Sequence, residues 1–194
     1  MEGIRSSIIS RGRILIICGV LLVVLDQVIK ILVMQNMVPG QQIDVFSWFK
    51  LCYVENVGMA YGLKFGGVAG KIILSLFRIV LVAILVRWMI KLLKRGTDAN
   101  PDASPVPMGV LVGLTLITAG AVGNIVDSLY NGPFLLGKVV DMFQFPLFHW
   151  PDWLPLLGGR LFFEPVFNFA DACVTCGAIY LILFQWKFFS KEGK

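Results

Sequence analysis

The sequence predicts an all-α membrane protein with four spanning helices and a long second outer loop. Three observations predict it. The chain is 57% hydrophobic and 15% charged, with a mean hydropathy of +0.81, whereas a soluble domain carries roughly 45–50% apolar and about 25% charged residues. Four apolar runs, residues 14–34, 70–90, 108–129 and 168–189, approach the roughly 20 residues needed to cross a bilayer core. The basic residues flank these runs rather than gathering on one soluble face, so the net charge of +5 does not point to nucleic acid. Residues 1–194 read as a single integral membrane domain.

The first run is too long for the apolar region of a signal peptide. No small-residue cleavage pattern follows it, and it carries Asp26 and Lys30. It is therefore expected to be retained. Arg5, Arg11 and Arg13 precede span one, Arg87, Lys91, Lys94 and Arg95 close span two, and Lys187, Lys191 and Lys194 follow span four. The positive-inside rule then places both termini and the loop over residues 91–107 in the cytoplasm. That loop is dense in Gly, Pro, Asp and Ser, as a connector is. Trp88 and Trp186 fall at the inner interface, and Trp48, Trp150 and Trp153 on the outer side, as an aromatic belt requires.

The outer loops cover residues 35–69 and 130–167. In the first, Phe49, Leu51 and Tyr53 alternate with Lys50 and Cys52, which predicts a strand. The second is rich in Phe, Trp, Leu and Pro and is expected to rest on the membrane surface.

Cys18, Cys173 and Cys176 lie inside apolar runs, so with Cys52 they give no disulfide framework. Cys173-x-x-Cys176 has no βαβ context and reads as small helix-packing residues. The sole histidine is His149. Catalytic zinc usually takes three protein ligands, most often including histidines, so a zinc peptidase is disfavoured and no metal or organic cofactor is expected.

Ionisable groups inside spans are costly and usually functional. At about 1.5 Å per residue, Asp127 lies roughly 28 Å up span three and Asp171 roughly 24 Å up span four. Each follows an asparagine by three residues, in Asn124-Ile-Val-Asp127 and Asn168-Phe-Ala-Asp171. At that spacing amide and carboxylate share a helix face. Simple helix capping is the alternative for either motif alone. Two at matched depth predict a carboxylate pair that shares a proton and activates water for peptide hydrolysis. Asp26 and Lys30 are spaced for an i, i+4 ion pair. For Lys30 this reads as a bridge that lowers insertion cost, while Asp26 is placed to help position the site. Arg78, inside span two, needs an acidic or polar partner.

These pieces resemble the lipoprotein signal peptidases, the type II signal peptidases of bacteria. The matching segments run in order: Asp26-x-x-x-Lys30; Asn56-Val-Gly58-Met-Ala60-Tyr61; Gly120-Ala-Val-Gly123-Asn124-Ile-Val-Asp127; Val139-Val140-Asp141; and Phe167-Asn168-Phe-Ala170-Asp171. The resemblance implies four helices plus a small extracytoplasmic β-cradle. It implies cleavage of diacylglyceryl-modified prolipoproteins just before the lipidated cysteine, from within the inner membrane and near its outer face. It implies Asp127 and Asp171 as the catalytic pair. Asp26, Lys30, Asn56, Gly58, Asn124, Asp141, Asn168 and Ala170 are the supporting or substrate-contacting positions. The implied partners are membrane lipid, the prolipoprotein and globomycin-type inhibitors, with the enzyme a monomer.

There are two departures from the family pattern. Ser128 stands where the family usually has arginine, and the segment over residues 148–165 looks like an addition. The addition is expected to lie on the outer leaflet and help cover the substrate entrance. Rival classes find less support. The Gly-x-Gly-Asp element of prepilin-type peptidases is absent, and no Ser–His pair lies in the spans. A small transporter using the Asp and Asn groups as an ion path is the alternative from a different class.

Overall fold

The fold is seen in a computed structural model that describes residues 2–57, 67–95, 105–156 and 158–192, excepting the side chains of residues 2–9 and 191–192. Gly58, Met59, Ala60 and Tyr61, most of the connector over residues 91–107, and Lys194 lie outside the described residues. The helices are α1 (Glu2–Asn36), α2 (Gly67–Leu93), α3 (Met108–Tyr130), α4 (Phe169–Phe184) and α5 (Trp186–Glu192). The strands are β1 (Gln42–Phe46), β2 (Phe49–Asn56) and β3 (Val139–Gln144).

Three stretches, Ser10–Asn36, Gly67–Leu93 and Met108–Tyr130, are long and apolar enough to cross a membrane. The run expected as one span over residues 168–189 is instead two helices, a 16-residue α4 and a seven-residue α5. They are broken at Gln185, whose side-chain amide turns back to the Tyr180 hydroxyl.

Helix α3 is the axis of the bundle. Of its most apolar window 61% is buried, against 17% for α1 and 6% for α2. The outer helices present Ile16, Leu21, Ile73 and Phe77 outward, an apolar surface that only lipid covers favourably. Small residues let α3 and α4 approach closely. A Cβ on Gly120 would lie 2.3 Å from the Ala170 carbonyl oxygen, and one on Gly177 would lie 2.8 Å from the Gly113 carbonyl oxygen. Gly120→Val is therefore expected to lower thermal stability by the equivalent of about 1–3 kcal/mol. It should also reduce activity, because the atom it strikes belongs to the first turn that carries Asp171. A melting curve unchanged by this substitution would refute the close approach.

The strands form one antiparallel sheet in the order β1-β2-β3. The expected alternation along β2 is interrupted. A register shift falls between Leu51 and Val54, and Cys52 and Tyr53 are both buried. Strand β3 emerges from what the sequence presented as plain loop. Its first four residues, Val139, Val140, Asp141 and Met142, are all buried. Val140 and Met142 pack with Val33 of α1, Met37 just after it and Tyr53 of β2, seating the sheet on the C-terminal end of α1. Asp141 is thereby carried into the bundle between the ends of α3 and α4.

The segment over residues 148–165 folds back on itself. His149 bridges Leu161, and the Phe148 and Phe162 rings stack at 4.6 Å with Trp150 against their edge. Trp153 and Leu156 near its tip are exposed.

Candidate active site

Four elements converge where the sheet meets the bundle, and the polar side chains there are matched donor to acceptor. On α1, Asp26, Gln27 and Lys30 lie within one turn. Asp26 Oδ1 accepts from the backbone N–H of Ala170 at 2.9 Å, which ties the start of α4 to α1. Asp26 Oδ2 accepts from Lys30 Nζ at 2.8 Å. Lys30 is 1% exposed. Its ammonium also lies 2.7 Å from Asp127 Oδ2 and 3.3 Å from Asn124 Oδ1. The Asp127 contact is an ion pair outside hydrogen-bond geometry, and Oδ2 accepts no hydrogen bond among the described residues. Lys30 thus does more than lower the insertion cost of α1: it joins α1 to α3.

Gln27 Nε2 donates to Asp127 Oδ1 at 3.1 Å, Asp26 Oδ2 at 3.0 Å and the Gly123 carbonyl at 3.2 Å. The sequence reasoning passed over Gln27. Its signal was an amide beside Asp26 deep in an apolar run, where unsatisfied polar groups are not tolerated.

On α4, Asn168 is the N-cap. Its Oδ1 accepts from the Asp171 N–H at 2.8 Å, and Asp171 Oδ2 faces the Asn168 N–H at 3.4 Å, completing a capping box. The Asn168 amide spends both its N–H groups, one on Asp141 Oδ1 at 2.6 Å and one on Asn124 Oδ1 at 3.2 Å. Asn124 Nδ2 in turn donates to Asp171 Oδ1 at 2.8 Å. Each asparagine orientation is therefore fixed by its neighbours. Asn56 Nδ2, from β2, donates to Asp141 Oδ2 at 3.0 Å. Ala170 contributes its backbone; Gly58 is outside the described residues.

Asp127, expected to face Asp171, has its described contacts with Lys30 and Gln27, whereas the Asp171 carboxylate has its own with Asn124 and Asn168. Lys30 and Asp26 are the charges acting on Asp127, while Asp171 is the carboxylate acting on Asp141. Asn168 binds both Asp141 and Asp171. The i, i+3 spacing put Asp127 and Asn124 near one another, but the crossing of α1 over α3 delivers Asp127 to Lys30. Burial, then the charge of Asp171, pushes the Asp141 carboxyl up to about 7, against the hydrogen bonds from Asn56 and Asn168. Ser128 is buried, and its hydroxyl donates back to the Asn124 carbonyl at 2.9 Å. Arg78, left without a partner by the sequence, feels the charges of Asp171, Asp141 and Asp127.

A multi-span helical bundle with paired acids braced by amides at the end of its helices defines the class of integral membrane aspartic peptidases. The family model for signal peptidase (SPase) II matches residues 18–187, and the chain belongs to that family. It is 39% identical over 198 residues to the lipoprotein signal peptidase of Porphyromonas gingivalis, covering 89% of this chain and 83% of that one. It is 32% identical over 170 residues to the lipoprotein signal peptidase of Chlorobaculum tepidum, covering 87% and 91%. A bacterial membrane enzyme solved by the in meso method at 2.3 Å superposes with a TM-score of 0.64 at 26% identity, covering 91% of this chain and 90% of that one. A second such enzyme, solved at 1.9 Å, gives 0.61 at 28% identity, covering 87% and 90%. The chain is thus a multi-pass inner-membrane peptidase rather than a transporter.

Proposed function

We propose that this peptidase removes the signal peptide from lipoprotein precursors with Asp141 and Asp171 as its working pair. The observation that carries the choice of pair is that the Asn168 side chain bonds both Asp141 Oδ1 and the Asp171 N–H, while Asp127 is held by Lys30. Asp171 stands at the N-terminus of α4 and accepts from Asn124 and the Asn168 N–H, donors suited to an anion. It serves as the general base. Asp141 carries the shared proton. A water between them attacks the scissile carbonyl carbon and gives a proton to Asp171. The Asp141 proton supports the developing oxyanion. When the C–N bond breaks, a proton passes to the leaving amine, and the pair returns to its singly protonated state. Asp26, Lys30, Asn56, Asn124, Asn168 and Ala170 hold these two carboxylates; Asp127 belongs with them as the counter-ion of Lys30.

The substrate is the diacylglyceryl-modified precursor, cut before its lipidated cysteine. Acyl chains anchored in the bilayer keep the bond near the interface, at the height of the Asp141–Asp171 site. Helix α4 is about 24 Å long, so α4 and α5 together make the fourth crossing. The Lys and Arg distribution puts both termini in the cytoplasm and the sheet outside as a cradle beside the site. The enzyme acts as a monomer, and globomycin-type inhibitors bind at the same pair. The 148–165 hairpin lies on the outer leaflet beside the substrate entrance.

Asp171→Asn is expected to abolish maturation of a lipidated precursor, followed by gel shift, while the protein still accumulates in the membrane. Normal processing by this variant would remove the assignment.

A further inference from the structure

Helix α2 is apolar over most of its outer length, and its large side chains Ile73, Phe77 and Val80 are exposed as lipid-facing residues are. Three polar residues interrupt it: Lys71, Ser75 and Arg78. Their i, i+4, i+7 spacing sets them on one helical face. Ser75 shows which way that face turns. It is 3% exposed, and its hydroxyl donates to the Leu135 carbonyl at 2.9 Å, just beyond the end of α3. Arg78, one turn deeper, therefore looks inward across the end of the bundle. It is half-buried and makes no hydrogen bond and no ion pair within 4 Å among the described residues. A guanidinium inside a span without a contact partner is costly and marks a function.

The surrounding charges show what that function is. From α1, Asp26 and Lys30 face the site; from α3, Asp127; from β3, Asp141; from α4, Asp171; from α2 itself, Lys71, with Lys138 beyond it. Lys30 is already shared between Asp26 and Asp127. Once that cation is spoken for, the Asp141–Asp171 pair has no lysine in contact among the described residues, and position 128 contributes a hydroxyl and no charge. Asp171 exerts the strongest of the acidic charges felt by Arg78, followed by Asp141 and then Asp127.

We propose that Arg78 is a positioning residue for the cleavage reaction, its guanidinium on the inward face of α2 holding the Asp141–Asp171 pair in its singly ionised state. This rests on the assignment of that pair above. With one proton on the pair, Asp26, Asp127, Asp141, Asp171, Lys30 and Arg78 sum to one negative charge, with Lys71 the further cation two turns nearer the end of α2. Without Arg78 the sum is one unit more negative. The pair would then hold its second proton to higher pH, and the base would be lost where it is needed. Arg78 supplies from α2 the cation that Ser128 cannot supply from α3.

The test is the pH–rate profile for cleavage of a diacylglyceryl-modified precursor by purified protein in lipid vesicles. Arg78→Gln should move the acid limb upward by about one pH unit, a roughly tenfold loss of kcat on that limb, with KM within about twofold. Arg78→Lys should keep the limb close to its original position. An acid limb unmoved in Arg78→Gln overturns the proposal, whatever happens to the rate. So does an equal displacement in Arg78→Lys. Where Arg78→Gln fails to accumulate, Arg78→Met keeps an unbranched apolar stem without the charge and is held to the same outcomes. Asp141→Asn and Asp171→Asn run alongside as controls. Cleavage by either would mean that the pair is wrongly assigned, whereas two inactive controls with an unmoved Arg78→Gln limb would mean that only the role of Arg78 is wrong.

Discussion

Asp141→Asn is expected to abolish cleavage and, at the same time, to remove the loss of stability that the wild-type protein suffers as pH rises through about 7. The two effects have one cause. Asp141 is 3% exposed, and burial and the Asp171 charge push its carboxyl up to about 7 from an ordinary value of 3.8. The folded state therefore holds a proton there that the unfolded chain releases near pH 4. Stability gained from the proton is full below that point and is lost as pH rises through about 7. Above pH 7 the wild-type protein carries an ionised carboxylate in a buried place, at a cost of up to about 4 kcal/mol. Asparagine remains neutral and removes this cost, while its amide nitrogen replaces one of the two oxygens that accept from Asn56 and Asn168 and so forfeits a hydrogen bond at every pH. The thermal shift of Asp141→Asn relative to wild type should therefore be more favourable at pH 8 than near pH 4 by several degrees. Reaction chemistry fails because an amide can neither carry nor return the shared proton. A variant that cleaves, or one whose stability falls between pH 4 and pH 8 as much as that of wild type, would overturn this account of Asp141.

Much of the fold was legible because its elements are set by local physics. The apolar runs of α1, α2 and α3 have the length a bilayer demands, and the polar residues that mattered at the site were conspicuous inside them. Asp26, Lys30, Asn124, Asn168 and Asp171 were all found this way, and the structure brings them together. What could not be seen was which helix each side chain would meet. The repeated N-x-x-D pattern made Asp127 and Asp171 look like equivalents. Yet Asp171 sits in the first turn of α4, capped by Asn168, whereas Asp127 is buried in the last turn of α3 opposite Lys30. Spacing along one helix says nothing of a crossing partner 97 residues away in sequence (Lys30 to Asp127). Asp141 was underweighted for a second reason. Strand β3 is buried over Val139–Val140–Asp141–Met142 without alternation, so a period-two search passes it by. The available signal was an acid within a short continuous apolar run, an arrangement that needs either a partner or a proton. The bulge in β2 likewise hid Cys52, which strict alternation with Tyr53 would have turned away from the core.

Lys30→Met should produce the largest loss of stability of any single substitution in the site, and a double substitution should recover part of it. Among the described residues Lys30 is the one cation in contact with both Asp26 and Asp127, at 2.8 Å and 2.7 Å, and all three groups are buried. Removing one member of a buried ion pair costs about 3–5 kcal/mol, because the charge left behind has neither water nor a partner. Here two carboxylates are left facing each other across the α1–α3 contact. The protein should melt many degrees lower in detergent and accumulate poorly. Asp127→Asn alone should be milder, since Lys30 keeps Asp26 and the amide oxygen still accepts. In Lys30→Met/Asp127→Asn the stranded charge of Asp127 is gone, so the double variant should be more stable than Lys30→Met alone. Groups in contact are non-additive in this way, and independent ones are not. A double variant whose loss equals the sum of the two single losses would mean that Lys30 and Asp127 do not act on each other. Loss of turnover in Asp127→Asn with an unchanged melting curve would return Asp127 to the working pair. The coupling measured by this cycle is thus also the measure of how firmly α1 holds α3, and through Asn124 and the Ala170 N–H, how firmly the bundle holds the start of α4 that carries Asp171.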